Sequence, residues 1–214
     1  MKAIILFFIF LSSPNLQIIE ECIDHIQSNF PDLSQEQIEA LSIGAPEIIR
    51  YNEVQNFLET ELLELGYVNH GHDLVDFSIG PFQMKPSFIE RLEHEIQTNE
   101  QLSEFSILME YTRKDVSSIR KERLGRISNP SFQIKYLEAF SAYCELAYPD
   151  SKNLSTTEKL KFKATAYNLG FDKSFNEITQ YQSKKHFPFG SKYQGKQYAY
   201  SELSLEIYNH LSHE

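Results

Sequence analysis

DFSIGPFQMKPSF, residues 76–88, sets Ser78, Gly80 and Gln83 at fixed spacing among Ile79, Phe82 and Met84, with Pro81 and Pro86 inside it. A turn needs Gly and Pro, and both are here. It does not need Ser and Gln interleaved with apolar side chains, a composition suited to a loop that presents polar groups from a packed base. Outward from this stretch the chain reads as helix after helix. Ser34 to Tyr51 carries Ile38, Leu41, Ala45 and Ile48 on one stripe and opens with a Ser34/Gln37 capping-box pattern. Residues 53–67 continue with Val54, Leu58, Leu62 and Leu65. On the other side a helix is expected from Ser87, with Glu90 as its capping-box partner, to about Thr98. A polar helix follows from Phe105 to Leu124. Asn129–Pro130 opens another that runs to Tyr148. Ser155 and Glu158 start the next, which Gly170 stops, and a last one holds Leu203, Ile207, Tyr208 and Leu211. Strand signals are few, and only residues 67–80 suggest a hairpin. The expected class is mainly α, one domain with at most a small β-hairpin.

The chain's 214 residues suit one domain with a sizeable core. Thirty acidic against twenty basic residues give a formal charge of −10, the wrong sign for a nucleic-acid partner. Any anionic substrate must be gripped locally rather than drawn in by bulk charge. MKAIILFFIFLSSPNLQ, residues 1–17, is one Lys, a nine-residue apolar run and small polar residues, the pattern of a secretory signal peptide. The run is short for a membrane span. The expected arrangement is a signal peptide over 1–17, a domain over 18–214, and an exported, periplasmic or cell-envelope monomer without a stable membrane span. Cys22 and Cys144 would meet an oxidising compartment there, and either a disulfide or two buried thiols fits.

Glu47 falls on an apolar stripe with Ala40, Ile43, Gly44, Tyr51 and Val54. Desolvation there raises a carboxyl's pKa, and a carboxyl protonated near neutral pH can act as a general acid. Alternatively Glu47 sits at the edge of the stripe, reaching water or pairing with Arg50. Pro46 predicts a bend or an end next to it. Glu59, among Gln55, Asn56, Leu62 and Leu63, is the competing acid. His70, His72 and Asp73 lie close together, but without further spaced ligands they read as a polar loop and no metal is expected. The aromatic stretch 186–200 either stacks on a ligand or packs a loop onto the core.

A third segment, FKATAYNLGF at 162–171, joins these pieces. Glu47 at a helix end, then Ser78-Ile-Gly80-Pro-Phe-Gln83 with Pro86, then Ala166-Tyr167-Asn168-Leu-Gly170, resembles in order and spacing the lysozyme-like lytic transglycosylases. The resemblance spans roughly residues 34–171. Ile48 stands where that family has Ser, and the gap between Glu47 and Ser78 is longer than usual; Glu59 would shorten it. The resemblance implies a lysozyme-like fold and cleavage of the MurNAc–GlcNAc β-1,4 bond in peptidoglycan glycan strands, without a cofactor. It implies Glu47 as the acid, Tyr167 as the group that orients it, and Ser78, Gly80, Gln83 and Asn168 at the sugar. A hydrolytic lysozyme on the same fold would need a second carboxylate, for which Asp73 and Asp76 are placed. A glycan-binding envelope protein without catalysis is the third reading.

Overall fold

Ser34 caps the first turn of α2 (Gln35–Gly44) in the reciprocal way its sequence predicts, its hydroxyl accepting from Gln37 N while Gln37 reaches back. In the computed structural model, which describes residues 14–53 and 60–213, this helix is the centre of the fold. Ala40, Leu41, Ser42, Ile43 and Gly44 are all buried, so its second half is covered on every side. α7 (Pro130–Ala147), α8 (Thr156–Leu169) and α10 (Tyr200–Ser212) pack around it. α1 (Pro14–Asn29) lies on α10 and on α3 (Pro46–Glu53), burying Ile19, Cys22, Ile23 and Ile26. α4 (Thr60–His70) packs on α6 (Val116–Ile127), and α5 (Pro86–Thr98) packs on α7. α9 (Phe175–Tyr181) packs on α8. A two-stranded antiparallel hairpin, β1 (Lys185–Phe187) with β2 (Tyr198–Ala199), completes a mainly helical single domain.

The break at Pro46 falls where the sequence puts it. Proline has no N–H to donate into the preceding turn, so α2 stops at Gly44 and α3 restarts at Pro46, with Ala45 between them. Glu47 therefore sits in the first turn of α3. Asn129 and Ser155 cap α7 and α8 as expected, and Gly170, at φ 108°, ends α8.

Several expectations are corrected. α5 begins at Pro86, and Ser87 is not its cap. Ser87 instead gives its N–H and hydroxyl to Asp76, at 3.0 and 2.8 Å. The helix expected over Phe105–Leu124 is two elements, a 3-10 helix at Glu100–Met109 and α6, which Asp115 caps. Residues 67–80 form no hairpin: Tyr67 to His70 finish α4, and only the bridge Ile79–Met84 follows. The hairpin lies instead in the aromatic stretch 186–200, where Phe187, Tyr198 and Tyr200 turn inward onto the core. α9 went unread. Cys22 and Cys144 are free, buried thiols, and burial pushes Cys22 up to about 12. The signal-peptide reading rests mainly on residues 1–13, outside the described residues. Among the described residues no helix is long and apolar enough to cross a membrane.

Candidate active site

A cleft of about 830 Å3 runs between the start of α3, the loop before α5, the face of α5 and the end of α8. Glu47, Ser78, Gln83, Tyr167 and Asn168 all line it. Three segments far apart in sequence thus converge on one space.

Glu47 is only 4% exposed, set among Ile43, Ile48 and other core residues. Desolvation raises its pKa from 4.5 to about 7, against the pull of Arg50 towards the charged form. The Arg50 Nη2 lies 2.5 Å from Glu47 Oε2, an ion pair by distance. Among the described residues no other donor meets the Glu47 carboxyl, so Arg50 is its one polar neighbour there. Both sequence alternatives hold in part: the acid is buried, and it pairs with Arg50. The result is a carboxyl that exchanges its proton near neutral pH.

Tyr167 closes the other side. Its hydroxyl donates to the Phe82 carbonyl oxygen at 2.7 Å, not to Glu47. Burial, and next the Glu47 charge, push its pKa well above the usual phenol value, so it stays neutral. Its ring meets Phe88 edge-on at 5.2 Å and Phe140 at 5.6 Å, which fixes its plane.

The Phe82 carbonyl is placed by a tight turn. Ile79 and Met84 exchange backbone hydrogen bonds at 2.9 and 3.0 Å, closing Gly80 to Gln83 into a loop. Gly80 (φ 70°) and Gln83 (φ 51°) both take left-handed backbone, which Gly accepts freely and Gln does not. Gln133, fully buried on α7, clamps the loop: its Oε1 accepts from Phe82 N at 3.2 Å and its Nε2 donates to Ile79 O and Ile127 O, each at 2.7 Å. Here the structure departs from the sequence reading of Gly80. It does not line the cleft; the close approach it permits is to Gln133, whose Nε2 would lie 2.4 Å from a Cβ. Ser78 and Asn168 line the cleft without a side-chain hydrogen bond among the described residues.

Asp76 is consumed by Ser87, and the Asp73 side chain is 97% exposed; neither lines the cleft. Two further carboxylates line it: Asp172, paired with Lys173, and Glu90, which the sequence reading used only as a cap. Glu90 Oε1 accepts from Tyr67 (2.6 Å) and Arg123 (2.9 Å), and its Oε2 meets His72 Nδ1 at 2.8 Å. Among the described residues no group of three or more His, Cys, Asp or Glu could hold a metal ion. Glu59 lies outside the described residues. Tyr200 was missed as well. It does not line the cleft, but it is 3% exposed, its hydroxyl has no hydrogen-bond partner among the described residues, and its ionisation is opposed first by burial and then by the Glu47 charge. Nothing in its local sequence separates it from the other rings of 186–200.

Comparison with protein-family models, curated proteins and solved structures finds no match for this chain.

Proposed function

We propose that this chain is a peptidoglycan lytic transglycosylase with a lysozyme-like fold, exported to the cell envelope, that cleaves the MurNAc–GlcNAc β-1,4 bond. The observation that carries the reading is Glu47: a buried carboxyl with a pKa of about 7, facing a glycan-sized cleft whose other walls hold Ser78, Gln83, Tyr167 and Asn168.

The chemistry follows from one acid. Protonated Glu47 gives its proton to the glycosidic oxygen as the C1–O bond breaks, and positive charge builds at C1. Arg50 beside it stabilises the carboxylate that remains. That carboxylate takes the proton from the MurNAc 6-hydroxyl as its oxygen closes on C1, leaving a 1,6-anhydro end and restoring the acid. No water is consumed. Tyr167, held by Phe82, fixes the wall beside the carboxyl, and Ser78, Gln83 and Asn168 supply hydrogen bonds to hydroxyl and N-acetyl groups.

A hydrolytic lysozyme is the second reading, and Glu90 favours it by placing another carboxylate on the same cleft. Three groups already engage that carboxylate, which suits a wall residue better than a nucleophile or a base. Purified cell wall incubated with the protein, followed by mass analysis of released muropeptides, separates the readings. Anhydro ends support the transglycosylase, and reducing ends the hydrolase. No release leaves a glycan binder, and the proposed reaction is then wrong.

A further inference from the structure

One face of α5 is built differently from a solvated helix face. Ser87, Glu90, Arg91 and His94 all line the cleft, at the three- and four-residue spacing that puts side chains on one stripe. The opposite face, with Ile89, Leu92 and Ile96, is in the core. The cations around the cleft are mostly spent. Arg50 pairs with Glu47, and Lys85 lies 3.7 Å from Asp76. Arg91 has no carboxylate at ion-pair distance among the described residues. Yet the chain carries thirty acids, and two of them besides Glu47, namely Glu90 and Asp172, line this same cleft. Glu90 is engaged by Arg123 and Asp172 by Lys173 at 2.9 Å; the Arg91 charge also favours ionised Asp172, but without a contact at ion-pair distance.

The Arg91 guanidinium is nevertheless held. Its carbon lies over the Phe171 ring, 4.3 Å from the centroid, its Nη2 reaches the Phe171 carbonyl oxygen at 3.5 Å, and it also donates to the Tyr143 hydroxyl. Stacking on a ring fixes the plane of the fork while leaving N–H donors at its edge, the arrangement that recognises a carboxylate by two parallel hydrogen bonds. His94, on the next turn of α5, adds a further donor beside it.

We propose that Arg91, with His94 one turn along, is a subsite for a carboxylate of the substrate, so that the cleft selects an anionic glycan over a neutral one. The proposal rests on reading the cleft as a glycan site. Peptidoglycan offers such a carboxylate in two places, on the stem peptide and, once the peptide is removed, on the lactyl ether of MurNAc. Chitin-type oligosaccharides have none.

The test is calorimetric binding with three soluble probes: a disaccharide-peptide from peptidoglycan, the same sugar stripped of peptide by an amidase, and a chito-oligosaccharide. Wild-type protein should bind at least one carboxylate-bearing probe roughly tenfold or more tightly than the chito-oligosaccharide. Arg91→Gln should lose that preference while keeping its affinity for the chito-oligosaccharide, and Arg91→Lys should recover part of it. Preference for the peptide-bearing probe alone places the carboxylate on the stem peptide; preference that survives stripping places it on the lactyl group. Equal weakening towards all probes in Arg91→Gln, or an unchanged preference, overturns the subsite and leaves the glycan reading standing. Wild-type protein that binds none of the probes overturns both.

Discussion

A carboxyl at about 7 is half protonated at neutral pH, and the physics behind that number has consequences for Glu47 beyond the proposed chemistry. An acid whose folded pKa is raised above its unfolded value keeps its proton after the unfolded chain has released it. Stability therefore falls as pH rises from about 4.5 to about 7, by on the order of 3 kcal/mol. Glu47→Gln removes the ionisation and keeps the shape. Its melting temperature should exceed the wild type's at pH 8 and match it near pH 4; an equal shift at both would mean that burial of charge is not the cause. Glycan release by the same variant should drop roughly 10²-fold or more, since the transferable proton is gone. Arg50 draws Glu47 towards its charged form, so Arg50→Met should move the alkaline limb of the rate profile above pH 7. A limb that stays in place would separate the profile from Glu47. The isolated acid in an apolar stripe was legible in the sequence; its ion pair with Arg50 was visible only as an alternative, because spacing cannot say which rotamer a long side chain adopts.

At the scale of elements, the loop 79–84 is held from outside itself. Removing the Gln133 amide strips the partner from Phe82 N and Ile127 O, while Ile79 O keeps its bond from Met84 N; each buried polar group stranded in this way costs about 1–3 kcal/mol. Gln133→Ala should lower stability in urea denaturation by about 3 kcal/mol. It should also slow glycan release by loosening the Phe82 carbonyl that holds Tyr167. Asn168→Ala should slow release with little change in melting, because that side chain faces the cleft and spends no hydrogen bond among the described residues. Stability that collapses in the Asn168 variant would make it structural. The contrast explains what could be read in advance. The capping boxes at Ser34 and Ser155 depend on residues three apart, so local sequence reveals them. The same spacing at Ser87 and Glu90 misled, because Asp76 takes the one and Arg123 the other through contacts the local pattern does not encode. Gln133 is 51 residues from the amide it receives, and no helical period marks it as a clamp. The β1–β2 pairing was hidden for a similar reason: strands of three and two residues are too short to show alternation.

Among the described residues two acids are buried almost equally, and their surroundings are opposite. Glu93 is 6% exposed, but Arg123 reaches its Oε2 at 2.7 and 3.1 Å, Tyr136 reaches its Oε1 at 2.9 Å, and Tyr111 donates to the same oxygen. Arg123 also holds Tyr67 and Glu90, so this network ties α4, α5, α6 and α7 together. A buried carboxylate with both oxygens taken up by partners serves the fold. Glu47, met by Arg50 alone among the described residues and with a cleft before it, is the acid left with capacity to react. Opposite mutational signatures should follow. Arg123→Met keeps the volume and strips the charge partner from Glu93; breaking one side of a buried pair costs about 3–5 kcal/mol. Urea denaturation at neutral pH should register a loss of that size, against the gain expected for Glu47→Gln. The folded fraction of Arg123→Met should still release glycan with its alkaline limb near pH 7, because Glu47 and Arg50 lie outside the network. A loss under about 1 kcal/mol would show the four helices to be held by their apolar contacts alone. A shifted limb would show that the two buried acids are coupled through α5, and the division between a structural and a reactive carboxyl would fail.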